Sequence, residues 1–219
     1  MTNYMNKENT FNGQCICEEL FNSISHGLGA ALAIAGTTIL IIFASIYSDA
    51  LCIVGCSLYG AALTILYCNS TLYHSFTNYK VKSIFQIFDH CSIFLLIWGT
   101  YVPIALSLIG GVTGWVLFGV QTICAILGIV LKSVDFRRWK NFSLVLYIVM
   151  GWCVVANTKI ILPIIDKTGL IFLLGGGIFY TVGVYFYKKK EKFLSHFIWH
   201  LFVLAGSIMH YFFILQYCI

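Results

Sequence analysis

The chain has 219 residues, 60% hydrophobic and only 10% charged, with a mean hydropathy of +0.90 and a formal net charge of +5. That balance excludes an ordinary water-soluble domain, whose surface needs far more charge, and makes lipid the main solvent. The apolar residues gather into seven runs of about 20 residues or slightly more, the length a helix needs to cross a bilayer core.

Residues 1–20 form a polar tail that ends in Glu18 and Glu19. It lacks a basic stretch leading into a short apolar core, so no signal peptide is expected and the tail is read as retained on the cytoplasmic side. Cys15 and Cys17 lie in this tail as an ordinary juxtamembrane pair. Residues 21–219 are read as one transmembrane domain. Span 1 covers about 25–47, with His26 at its start and "GLGAALAIAG" behind it. Span 2 covers about 52–75, contains "LYGAALT", and carries Ser70 and His74 in its last turns. Such small residues let helix backbones approach closely in lipid.

Span 3, about 84–107, has Asp89 and His90 near its start and Pro103 as a predicted kink. Spans 4 and 5 cover about 112–132 and 143–164. Span 6, about 169–187, contains "GGGIFYTVGV", and span 7, about 196–217, opens on "HFIWH" with His196 and His200. The fold class is therefore all-α: a polytopic integral membrane protein, a bundle of seven transmembrane helices. The other cysteines (52, 56, 68, 91, 124, 153 and 218) are scattered as small apolar residues, without the spacing of a disulfide framework or zinc ribbon.

Charge placement gives the orientation, because lysine and arginine in short loops mark the cytoplasmic side. The loops after spans 2, 4 and 6 hold Lys80, Lys82, Lys132, Arg137, Arg138, Lys140, Lys188, Lys189, Lys190 and Lys192. With Lys7 these make eleven of the thirteen basic residues, leaving Lys159 and Lys167 opposite. The N-terminus is expected inside and the C-terminus outside. The "YKKKEK" run is a topology signal that meets lipid phosphates, and no nucleic-acid partner is expected.

Histidine and carboxylate groups are costly in lipid and usually face a bundle interior. Counting depth from the basic loops places Glu19, His26, Ser70, His74, Asp89, His90, His196 and His200 in one leaflet, the cytoplasmic one. His210 lies apart, about 15 Å deeper at a rise of about 1.5 Å per residue. His196 and His200 are four residues apart and project from one helix face, as two ligands of one metal require. His74 at similar depth completes a three-histidine set that leaves a fourth position open, the arrangement of catalytic zinc. Ser70, one turn before His74, is placed to hydrogen-bond water or substrate, and Asp89 to orient a ligand or accept a proton.

Other readings compete. A single histidine at a span end is more often an interfacial anchor than a ligand. For Glu19, His26 and His90, hydrogen bonds that tie helix ends together are the first reading and ligation the second. His210 is read as a bundle-interior hydrogen-bonding residue. Haem would call for histidines across a wide pocket, and a proton-coupled carrier for broken helices in matched halves, neither of which the sequence shows.

These residues resemble those of the hemolysin III family of bacterial membrane proteins, relatives of the progestin and adiponectin receptors. The likeness is carried by "EELFNSISHGLGA" (18–30), "SLYGAALTILYCNSTLYHS" (57–75), "FDHCSIFLLIWGTYVP" (88–103), "LYIVMGW" (146–152), "GGGIFYTVGVYFY" (175–187) and "FLSHFIWHLFVLAGSIMHYF" (193–212). The resemblance implies seven helices in a bacterial plasma membrane, N-terminus inside, and a Zn2+ near the cytoplasmic face held by His74, His196 and His200. It also maps the family's serine and aspartate onto Ser70 and Asp89. Alkaline ceramidases in the wider superfamily imply zinc-dependent hydrolysis of a lipid amide bond, with Asp89 as general base and membrane lipids as partners. The family's name implies instead a pore-forming, cytolytic protein, and its association with membrane homeostasis a non-enzymatic sensor with structural zinc.

Overall fold

The computed structural model describes residues 15–189 and 192–219. Residues 1–14, with Lys7, and Lys190 lie outside the described residues. Every regular element among the described residues is helical, and seven helices are long and apolar enough to cross a membrane. In chain order they are α1 (Ile16–Tyr47), α2 (Ala50–Ser75), α3 (Tyr79–Ile109), α4 (Gly111–Val134), α5 (Lys140–Ile161), α6 (Lys167–Lys188) and α7 (Ser195–Tyr217).

The helix starts follow from capping chemistry. Asp49 accepts from the Cys52 N–H at 2.9 Å, Asn78 from the Lys80 N–H at 3.0 Å, and Asp166 from the Gly169 N–H at 2.9 Å. Each thereby satisfies an N–H that has no partner within its helix. α1 begins well before residue 25, because Glu18 folds back to accept the Cys15 N–H at 3.2 Å. Residues 16–20, expected in the tail, are thus its first turns. The other oxygen of Glu18 accepts the Leu194 N–H at 2.6 Å. Leu194 has φ of 59°, a left-handed conformation costly for a branched residue, and Glu18 holds it just where α7 begins.

Two helices change character where the sequence leads them to. α3 runs as an α-helix to Pro103 and continues as a π-helix over Ile104–Ile109, so the predicted disturbance lies at Pro103. The chain then reverses at Gly110 and Gly111, with φ of 63° and 54°, where a side chain would be strained. α5 is α-helical to Gly151, passes through a 3-10 stretch at Cys153–Asn157, and resumes at Thr158–Ile161. The break has an identifiable cause. The Tyr101 hydroxyl from α3 donates to the Gly151 carbonyl at 2.8 Å and accepts the Val154 N–H at 2.7 Å, entering the backbone ladder.

α2 and α3 are the most buried of the seven. α1 packs on α2 and α7, α3 on α2, α4 and α5, and α6 on α7. Buried Tyr59, Tyr67, Leu66, Phe94 and Phe213 fill the interior. In lipid, apolar contact alone gives helices little drive to associate, so polar ties between them count for more. Ser207 of α7 bonds Tyr67 of α2 and Tyr180 of α6, each at 2.8 Å. Trp98 of α3 bonds Thr122 of α4 at 2.9 Å, and Tyr147 of α5 bonds the His90 carbonyl at 2.8 Å. His210 bonds the Leu173 carbonyl of α6 at 3.2 Å, an interior contact far along α7 from His196.

Candidate metal centre

His74 stands in the last turn of α2; His196 and His200 stand in the first two turns of α7. All three are buried, at 4%, 8% and 2% exposure. Their ring centroids form a nearly equilateral triangle: 5.2 Å from His74 to His196, 4.9 Å from His74 to His200 and 4.8 Å from His196 to His200. One ring nitrogen from each lies within 4.8 Å of the others, so the group can hold a metal ion. Tetrahedral zinc, with Zn–N near 2.05 Å, sets its nitrogens about 3.4 Å apart, a modest contraction from this arrangement.

The rings are held from behind by α1. Glu19 Oε2 accepts from His74 Nδ1 at 2.6 Å and pairs with Lys82 Nζ at 3.0 Å. His200 Nδ1 lies 3.3 Å from the Asn22 carbonyl and 3.4 Å from Ser25 Oγ. His26 stacks on His200 with ring centroids 3.7 Å apart and planes inclined by 16°. It therefore presents a face to its neighbour, which suits a wall of the site better than a ligand. Gly29, one turn further along α1, allows this docking: a Cβ there would meet Tyr67 at 2.8 Å and Leu204 at 2.9 Å.

Ser70 is buried one turn before His74, and its hydroxyl, near the Asp89 carboxylate, makes no hydrogen bond among the described residues. Asp89 lies 3.6 Å from His90 Nδ1, but that nitrogen bonds the Gln86 carbonyl at 2.9 Å. His90 Nε2 meets the Tyr187 hydroxyl at 3.3 Å. With both nitrogens engaged, His90 ties α3 to α6. The structure thus brings together Glu19, His26, Ser70, His74, Asp89, His90, His196 and His200 at one end of the bundle, and leaves His210 apart.

Sequence reasoning missed Asn22, Ser25 and Lys82. The first two were legible in principle, because Glu19, Asn22 and His26 repeat at helical spacing on an otherwise apolar helix. Lys82 was read as a loop charge. It lies inside α3, is buried to 3% exposure by its pairing with Glu19, and sits 5.1 Å from the Tyr73 ring centroid.

Beside this centre lies an apolar cavity walled by α3, α5, α6 and α7, with residues including Ile97, Tyr101, Ile148, Val184 and Trp199. His90 and Tyr187 line its end nearest the histidines, and His210 lines it deeper.

The sequence profile described as "Haemolysin-III related" matches residues 15–211. The chain is 42% identical over 204 residues to "Hemolysin-3" of Bacillus cereus, covering 93% of each protein. To "Hemolysin-3 homolog" of Bacillus subtilis (strain 168) it is 40% identical over 204 residues, 93% of this chain and 96% of that protein. "Monocyte to macrophage differentiation factor" of Homo sapiens is 27% identical over 167 residues, 73% of this chain and 68% of its own length. A match over nearly the whole chain, with two relatives at 40% identity or above, leaves one conclusion: this multi-pass membrane protein belongs to the haemolysin-III related family.

Proposed function

We propose that this protein binds Zn2+ through His74, His196 and His200 and hydrolyses an acyl-amide or related lipid bond in the cytoplasmic leaflet of the plasma membrane. The observation that carries the proposal is the convergence of three buried imidazoles from two helices, with a buried serine and a partly buried carboxylate beside them and an apolar cavity alongside. The donor set favours zinc: three imidazole nitrogens suit a borderline-soft ion, whereas Mg2+ and Ca2+ call for oxygens. Bound there, zinc would supply a Lewis acid able to polarise a carbonyl and to lower the pKa of water.

The chain's own residues supply the rest. The cavity walls take up an acyl chain and exclude water from it. Asp89 accepts a proton from the attacking water and delivers it to the leaving amine, and Ser70, whose buried hydroxyl makes no hydrogen bond among the described residues, is placed to bond the water or substrate. Eleven of thirteen basic residues fall in the N-terminal stretch, in the connections between helices at the histidine end or in the helix turns next to those connections, which favours the cytoplasmic assignment. The test is incubation of purified protein in nanodiscs with a panel of lipid amides and esters, with free fatty acid quantified by mass spectrometry. Release that requires zinc and disappears in Asp89→Ala supports the proposal; release unaffected by Asp89→Ala refutes it.

The names of the two Bacillus relatives favour a second reading, membrane lysis. It predicts dye leakage from protein-containing vesicles that persists in Asp89→Ala. The enzymatic reading predicts intact vesicles.

A further inference from the structure

We infer that Glu19 is a positioning residue for the metal centre, and that the inner face of α1 presets the two ligand helices to present Nε2 to the ion. The inference rests on the metal-binding reading and adds a helix that contributes no ligand to it.

Hydrogen-bond chemistry carries the argument. Glu19 Oε2 also meets the Lys82 ammonium, which can only donate, so this oxygen is an acceptor and the 2.6 Å contact places the proton of His74 on Nδ1. The Asn22 amide nitrogen is 3.5 Å from the same atom, too far to compete. The lone pair of His74 then lies on Nε2, which is buried without a hydrogen-bond partner among the described residues. A buried acceptor with no donor is costly unless something fills its place, and a cation does so. On His200 it is again Nδ1 that α1 meets, turned to the Asn22 carbonyl and Ser25 hydroxyl. Residues 19, 22 and 25 follow one another at helical spacing, so one face of α1 addresses a ligand on α2 and another on α7.

Lys82 completes the device. Its ammonium, 3.0 Å from Glu19 Oε2, sets a positive charge against the carboxylate oxygen that His74 meets. A carboxylate bonded to a ligand imidazole fixes the ring's tautomer and orientation and raises its basicity, and loss of such a partner usually weakens metal binding about 10–100-fold.

The experiment uses the full-length protein in nanodiscs. Zinc affinity is measured by competition with a chromogenic chelator, and the absorption spectrum of the Co2+-loaded protein is recorded. Wild type, Glu19→Ala and Glu19→Gln are compared, with thermal stability of the metal-free forms as a folding control. The expected result is a Kd raised about 10–100-fold in Glu19→Ala, with Glu19→Gln in between because its amide oxygen still accepts, and a shifted Co2+ spectrum. Unchanged zinc affinity and Co2+ spectrum in folded Glu19→Ala, with only thermal stability reduced, would overturn the inference and leave Glu19 a tie between helix ends. Absence of zinc binding in wild type would instead overturn the metal reading, and the inference with it.

Discussion

Replacing Tyr101 with phenylalanine tests the account of the broken fifth helix. The substitution removes one oxygen and preserves the ring, which is buried at 4% exposure. That oxygen donates to the Gly151 carbonyl at 2.8 Å and accepts the Val154 N–H at 2.7 Å. Two backbone groups lose a partner where no bulk water can replace it. A lost neutral hydrogen bond that leaves a buried group unpaired costs about 1–3 kcal/mol, but hydrogen bonds within membranes average only about 0.6 kcal/mol because the reference state also finds partners. For two bonds the expected loss is about 1–3 kcal/mol. Tyr147→Phe, which removes a single 2.8 Å bond to the His90 carbonyl, is expected to lose about half as much. The assay is reversible denaturation in mixed micelles, followed by the folded fraction. Tyr101→Phe as stable as wild type, or less damaging than Tyr147→Phe, would refute the claim that the hydroxyl sustains the break.

Three further outcomes are expected. Lys82→Met leaves the Glu19 carboxylate without its cation; since breaking a buried ion pair costs about 3–5 kcal/mol and His74 still bonds the carboxylate, a loss of about 3 kcal/mol should appear in the same denaturation assay. Ser70→Ala and Asp89→Ala should keep zinc content near wild type, while Asp89→Ala reduces lipid-amide turnover about 100-fold or more, as loss of a general base does; zinc loss in either would mark a ligand role. Asp166, exposed at the start of α6, has its carboxyl held below the usual range by the Tyr217 hydroxyl and by the Gly169 N–H. Its pKa is depressed in the folded protein, so its contribution is present above the unfolded pKa, about 3.9, and lost as pH falls through the folded value. Thermal scans between pH 6 and pH 3 should show an acid-side decline that Asp166→Asn diminishes.

The seven spans could be read from hydropathy because each helix must turn apolar side chains toward lipid for the full bilayer width. Their ends were less legible where polar residues turn inward. Glu18 and Glu19 look like tail residues, yet one caps α1 and secures Leu194 while the other bonds His74 and Lys82. Nothing local to Lys82 distinguishes it from Lys80; only the arrival of α1 does so. Two of the three converging histidines, His196 and His200, were visible through helical spacing, and His74 through depth counted from the basic loops. The break in α5 was hidden because its cause is a hydroxyl 50 residues away. Cys52 and Cys56, read as small apolar residues, are wholly buried in α2, one turn apart with sulfurs separated by 4.0 Å.

The central claim is that α2 and α7 together hold one zinc ion, and elemental analysis of protein purified without chelators tests it most directly. The account predicts close to one zinc per chain in wild type, and its loss in His74→Ala and in the His196→Ala/His200→Ala double variant, with folding verified by gel filtration. Wild type without zinc, or with zinc that survives both substitutions, would contradict it.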